Sequence, residues 1–237
     1  MKPAYLAYLI LIATILFVGS SFVTPFAGFE PDAFPVPQDD PPAQPAGYAF
    51  AIWGVIYLWL LVSSGFGAVK RPNDPDWQAV RPALLLSLTV GIFWLAVASQ
   101  SPIGATIMIW VMLIGAVVAL SRASARDRWL LRAPLGLYAG WLAAASWVSV
   151  ALIGAGYGLF FDAETWAVIV IIAATLTALA MIRSFGDLPE FGAAVAWALV
   201  AIAVKSAGSD TLVTALAGLG AAVVAVSAGL SVSARRV

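Results

Sequence analysis

Long apolar runs, broken by short clusters of charge, proline and glycine, set the pattern of this chain. Eight runs stand out, at 4–24, 47–69, 82–99, 103–121, 133–155, 165–183, 190–207 and 211–231. Each is close to the length that a helix rising about 1.5 Å per residue needs to cross a hydrocarbon layer of about 30 Å. Barrel strands would be half as long and would alternate polar with apolar positions. The pattern therefore predicts an all-α integral membrane protein of about eight transmembrane helices. The first connection, residues 25–46, is the longest and is rich in proline; the later ones are short.

Composition agrees with this reading and narrows it. With 62% hydrophobic and 10% charged residues and a mean hydropathy of +0.98, the chain has too little polar surface to cover a water-soluble globule. Its net charge is zero, which points to no nucleic acid and to no acidic partner.

The placement of charge tests the span count independently. Lys2, Lys70, Arg71, Arg81, Arg122, Arg126, Arg128, Arg132, Arg183, Arg235 and Arg236 all fall on one side of an eight-span chain, and only Lys205 falls on the other. Under the positive-inside rule both termini are then cytoplasmic, and the loop carrying Glu30, Asp32, Asp39 and Asp40 faces outside, as in a bacterial inner membrane. A cleaved signal sequence ending near residue 21 is the alternative for the first run, since Lys2 precedes it and small residues follow it.

Candidate chemistry is sparse. The chain has neither cysteine nor histidine, which removes thiol nucleophiles, the commonest general base and the usual axial ligand of a metallotetrapyrrole. Ser99, Ser146 and Ser149 have no evident base, so they read as small residues that let helices approach. No catalytic constellation is visible, and the expectation is a protein that is not an enzyme. The first five spans offer no mid-depth carboxylate or lysine, which disfavours ion-coupled transport. The loop carboxylates could hold a divalent cation, but a solvated acidic loop explains them more simply.

The aromatics carry the remaining information. Of ten tryptophans, Trp59, Trp77, Trp129 and Trp166 lie near span ends and fit an interfacial belt. Trp53, Trp94, Trp110, Trp141, Trp147 and Trp197 lie well inside their spans, where an indole N–H needs a partner. Trp53 and Tyr57 share one helical face, as do Phe50 and Gly54. Spacing alone leaves helix packing and a flat-walled pocket equally open.

The stretch from Pro41-Pro42 to Trp53-x-x-x-Tyr57, within "QPAGYAFAIWGVIYLWLL", resembles the translocator protein family, which includes TspO and the tryptophan-rich sensory proteins. "YAGWLAAASWVS" around Trp141 is similar to the final helix of that family, and "IFWLAVAS" around Trp94 to its third. Two positions depart from the family pattern: Ala49 stands where the family has phenylalanine, with Phe50 one place later, and Ser149 where it has asparagine. The resemblance implies a five-helix TspO-like bundle over residues 1–155, with a cavity beneath the 25–46 loop, and three additional transmembrane helices over 156–237. It implies a membrane binding or sensory receptor for a flat apolar ligand, a porphyrin or a lipid, held by Tyr48, Phe50, Trp53, Tyr57, Trp94, Tyr138, Trp141 and Ser149. No cofactor is obligatory. Without histidine, a metal-free tetrapyrrole or a lipid is the expected occupant.

Two other readings stand beside this one. The chain could be a structural or assembly subunit of a larger membrane complex, pigment-protein complexes included, or it could be a carrier giving uncoupled transport of an apolar solute. The small residues of 190–231, such as Ala217-Gly218 and Ala221-Ala222, suit internal packing, with a homodimer or a contact to another membrane protein as the alternative.

Overall fold

A computed structural model describes residues 4–24 and 28–233. Lys2, Arg235 and Arg236, and the start of the first loop, lie outside them. Eight helices follow in order: α1 Tyr5–Val23, α2 Ile52–Lys70, α3 Pro75–Ala98, α4 Pro102–Ser121, α5 Arg132–Gly156, α6 Ala163–Phe185, α7 Pro189–Ser206 and α8 Thr211–Ser233. A 3₁₀ turn over Gly47–Ala51 leads into α2. All eight are long and apolar enough to cross a membrane.

The helix ends follow local rules. Proline opens α3, α4 and α7, where its missing N–H costs nothing. Asp74, Ser101 and Asp162 cap α3, α4 and α6 through their side chains. One boundary corrects the sequence reading. The apolar run beginning near residue 82 is preceded by two helical turns that carry Asp76, Gln78 and Arg81, so Arg81 belongs to α3 rather than to a loop.

Arg81 is buried, at 2% exposure. Its guanidinium donates to the carbonyls of Pro72 at 2.7 Å, Arg71 at 2.8 Å and Gly67 at 3.1 Å. These carbonyls lie at or just beyond the C-terminus of α2, where carbonyls lack helical partners and carry the negative end of the helix dipole. The arginine therefore acts as a cap for α2.

Helix α5 is the centre of the bundle and packs on α2, α4, α6 and α7. Buried positions make up 67% of its spanning window, against 28% for α1 and α2. Its sequence explains this. Apolar area drives little association in lipid, so close approach of small residues has to supply the contact. At Gly140 an added Cβ would lie 2.8 Å from the Cα of Phe191, so α5 and α7 meet backbone to backbone. Helix α8 buries Ala217, Ala221, Val224 and Ala228 and packs on α6 and α7, while Gly218 and Ala222 are exposed.

Polar contacts sort the loops into two ends. Arg71 pairs with Asp127 at 2.8 Å, and Arg126 with Asp74. Arg128 reaches Glu190 at 2.8 Å and Asp187 at 3.1 Å. The α2–α3, α4–α5 and α6–α7 connections therefore share one end. At the other end, the Val36 amide donates to the Gly156 carbonyl at 2.8 Å, and Lys205 pairs with Asp40 at 2.8 Å. The chain thus alternates between ends eight times, as the charge pattern requires.

Electrostatics at the basic end follow from these pairs. Hydrogen bonding from Arg71 holds the Asp127 carboxyl below the usual aspartate range, helped by the Trp77 indole, which donates to it at 2.8 Å; partial burial opposes the shift without cancelling it. Burial works against the charge on Arg128, but Glu190 and Asp187 outweigh it and raise its pKa.

Candidate functional site

Two adjoining lobes lie among the aromatic side chains at the end of the bundle opposite the basic loops, and the 28–46 loop covers the smaller. The larger, of about 200 Å³, is walled by Phe17, Trp53, Tyr57, Trp94, Met112 and Trp141, with Ser21 and Thr24 among its other lining residues. The smaller, of about 70 Å³, lies under Phe29, Gln44 and Pro45 and is bounded on the helix side by Val148, Ser149 and Ala198. Phe50, Trp94, Ile109, Trp141 and Ala145 wall both lobes, so the two spaces adjoin across these side chains.

The ring geometry is built by helix periodicity. Trp53 and Tyr57, one turn apart on α2, stack at 5.2 Å with 24° between planes. Trp141 on α5 meets Trp53 edge-on at 6.2 Å and Phe50 edge-on at 5.9 Å. Phe17 on α1 closes the same cluster, edge-on to Trp53 at 5.9 Å and to Tyr57 at 5.4 Å. Trp94 is fixed by its indole N–H, which donates to the Ala105 carbonyl at 2.9 Å and ties α3 to α4.

Of the eight residues expected at the site, six line the cavity: Phe50, Trp53, Tyr57, Trp94, Trp141 and Ser149. The other two are not among its walls. Tyr48 is half-exposed and packs edge-on against Trp197 at 5.5 Å. Phe50, two residues on in the same 3₁₀ turn of Gly47–Ala51, meets Trp141 instead. Tyr138 is wholly buried, and its hydroxyl lies 2.9 Å from Ser87 Oγ. Ser87 donates to the Met112 carbonyl at 2.7 Å, so Tyr138 is the donor in that pair. It supports the cavity from behind, against Phe17 at 6.0 Å.

The remaining interior indoles are packing groups. Trp110 meets Trp147 edge-on at 5.1 Å, and Trp147 donates to Thr177 at 3.0 Å, joining α4, α5 and α6. Trp197 donates to the Ala49 carbonyl at 2.9 Å. Trp77, expected in an interfacial belt, is instead buried against Asp127. Phe17 was not legible as a wall residue, because nothing in its spacing separates it from Tyr5, Tyr8 and Phe22, which are exposed.

The roof is tied to the later helices. Phe34 is buried against Gly156 and meets Tyr157 edge-on at 6.4 Å. The Ala46 amide donates to the Ala201 carbonyl at 3.2 Å, and Lys205 donates to the Pro41 carbonyl at the same distance. Helix α7 therefore holds the loop that covers the cavity.

An eight-helix membrane bundle with an aromatic cavity under its first loop is the class that fold and site define. The chain belongs to the TSPO-like protein family, whose match runs over residues 4–230 and so takes in α6, α7 and almost all of α8. Neither a curated protein nor a solved structure matches the chain.

Proposed function

We propose that this chain is a small-molecule binding or sensory protein of the TspO type that holds a flat apolar ligand between the rings of Trp53, Tyr57, Trp94 and Trp141. The observation that carries the reading is the convergence of these four side chains, from α2, α3 and α5, on one cavity. Flat polarisable walls with few hydrogen-bonding groups favour a conjugated guest. The two lobes, of about 70 and 200 Å³, are together smaller than the roughly 300–1,000 Å³ usual for drug-sized ligands. A compact aromatic or a lipid tail fits this volume, whereas a porphyrin requires the walls to move apart. A metal-free tetrapyrrole is favoured over a metallated one, since the chain has no histidine to serve as axial ligand. The protein binds its guest and does not transform it. In a bacterial inner membrane, the cavity end faces outside and the basic end faces the cytoplasm.

Titration with metal-free porphyrin tests the reading. Trp53→Leu and Trp141→Leu should each weaken binding several-fold, for a loss of about 1 kcal/mol per stacking contact. Unchanged affinity in both variants and in the double variant would remove the cavity as the site, and the aromatics would then be packing groups of an assembly subunit.

A further inference from the structure

A separate space of about 240 Å³ opens where the first loop meets the later helices. Asp40 lines it from the loop, Glu164 from the first turn of α6, Lys205 and Ser206 from the end of α7, and Ser209 and Asp210 from the link to α8. It shares no lining residue with the aromatic lobes, and none of its own described lining residues is aromatic.

The polar groups around this space are not used up by one another. Ser206 is buried, at 3% exposure, and its hydroxyl has no hydrogen-bond partner among the described residues. Unlike the Ser146 hydroxyl, which is sealed within the bundle, it keeps an accessible edge. Glu164 pairs with no base among the described residues. Asp210 spends one oxygen on capping α8, accepting from the Val213 amide at 2.9 Å, and its other oxygen has no partner. Lys205 is already committed to Asp40 at 2.8 Å and to the Pro41 carbonyl at 3.2 Å. Three carboxylates against one ammonium leave the lining with two negative charges in excess.

That excess selects a cation, and the lining selects which kind. No three carboxylates among the described residues converge closely enough to hold a metal ion. Carboxylate and hydroxyl oxygens set apart around a space suit a cation with several N–H donors, and a primary ammonium has three. A quaternary ammonium has none and is held by aromatic faces, which are missing here.

We infer that this space binds a primary ammonium group, which donates to Glu164, to the free oxygen of Asp210 and to the Ser206 hydroxyl. Because the space lies at the ends of three spanning helices, the group can come from a free aliphatic amine or from an aminophospholipid headgroup.

Calorimetric titration of the full-length protein in detergent, with ethanolamine against choline, tests the chemistry. Ethanolamine should bind at least about tenfold more tightly. Glu164→Gln and Ser206→Ala should each weaken ethanolamine about fivefold and leave the porphyrin titration unchanged, since neither residue walls the aromatic lobes. Mass spectrometry of the protein released from nanodiscs of mixed phosphatidylethanolamine and phosphatidylcholine identifies the source. Preferential retention of phosphatidylethanolamine, lost in Glu164→Gln, assigns the group to a lipid headgroup. Equal retention of the two lipids, with ethanolamine still preferred in detergent, assigns it to a free amine. Equal affinity for ethanolamine and choline together with equal lipid retention would overturn the inference, as would preferences that survive unaltered in both variants.

Discussion

Lys205, at the end of α7, holds the Asp40 carboxylate at 2.8 Å across a separation of more than half the chain. The same ammonium donates to the Pro41 carbonyl at 3.2 Å. The residues joined belong to the loop that roofs the cavity and to a helix that forms part of its wall through Ala198. Opening the roof therefore means breaking contacts with α7.

Lys205→Met should make the roof easier to lift. Asp40 is largely exposed, so the pair itself contributes at most about 1 kcal/mol. Rates of ligand binding and release should each rise by up to about fivefold, with affinity changing less, because the latch touches the path and not the bound guest. Stopped-flow quenching of tryptophan fluorescence by porphyrin measures both rates. Identical kinetics in the variant would mean that the roof opens elsewhere or not at all.

Acid should loosen the basic end first. The folded-state pKa of Asp127 is depressed, chiefly by Arg71 with help from Trp77. A depressed carboxyl contributes stability that is present in full above its unfolded value of about 3.9 and is lost as pH falls through the lower folded value. Thermal stability in detergent should be level from neutral pH to about 5 and should decline below about 4. Asp127→Asn should lower the neutral plateau and flatten the acid decline. A variant keeping the full acid slope would assign that slope to other carboxylates.

Element count, topology and the aromatic character of α2 and α5 were legible in the sequence because the membrane enforces long apolar runs and interior indoles need partners. The start of α3 was not, since Arg81 reads as a loop charge unless its three carbonyl acceptors at the end of α2 are known. Likewise, periodicity identified Trp53 and Tyr57 as a pair, but the same periodicity could not divide the six interior tryptophans. Trp110, Trp147 and Trp197 occupy helix interiors just as Trp94 and Trp141 do, and only tertiary contacts separate packing groups from walls. Tyr48, which the resemblance placed at the site, packs on Trp197 of α7, a contact between distant segments that no local pattern announces.

Orientation in the membrane has a direct test. Cysteine introduced at Asp39, in the exposed part of the roof loop, should react with an impermeant maleimide in intact cells. Cysteine at Ser124, between α4 and α5 at the basic end, should react only after the membrane is opened. Since the chain has no native cysteine, no background labelling intervenes. The opposite pattern would invert the molecule and place the cavity on the cytoplasmic side.

The contact between α5 and α7 should be among the most sensitive in the bundle, because it leaves no room for a side chain. A Cβ at Gly140 would press on the Phe191 backbone, at 2.8 Å from its Cα and closer still to its carbonyl oxygen, and within 3.0 Å of the Ala194 side chain. Backbone cannot rotate away as a flexible side chain can, so the helices must separate. Gly140→Ala should destabilise the protein by about 1–3 kcal/mol, the usual range for overpacking. Gly54, exposed on α2 with nothing within 4 Å of an added Cβ, provides the control. Gly54→Ala should be neutral or should stabilise by up to about 1 kcal/mol, from helix propensity alone. Because α7 also carries the roof contacts at Ala201 and Lys205, Gly140→Ala should weaken porphyrin binding as well as stability, while Gly54→Ala should leave binding intact. Thermal unfolding in detergent and the porphyrin titration, run on both variants, read the two effects side by side. Equal stability of the two variants would show that α5 and α7 can part without cost, and that the later helices do not brace the cavity.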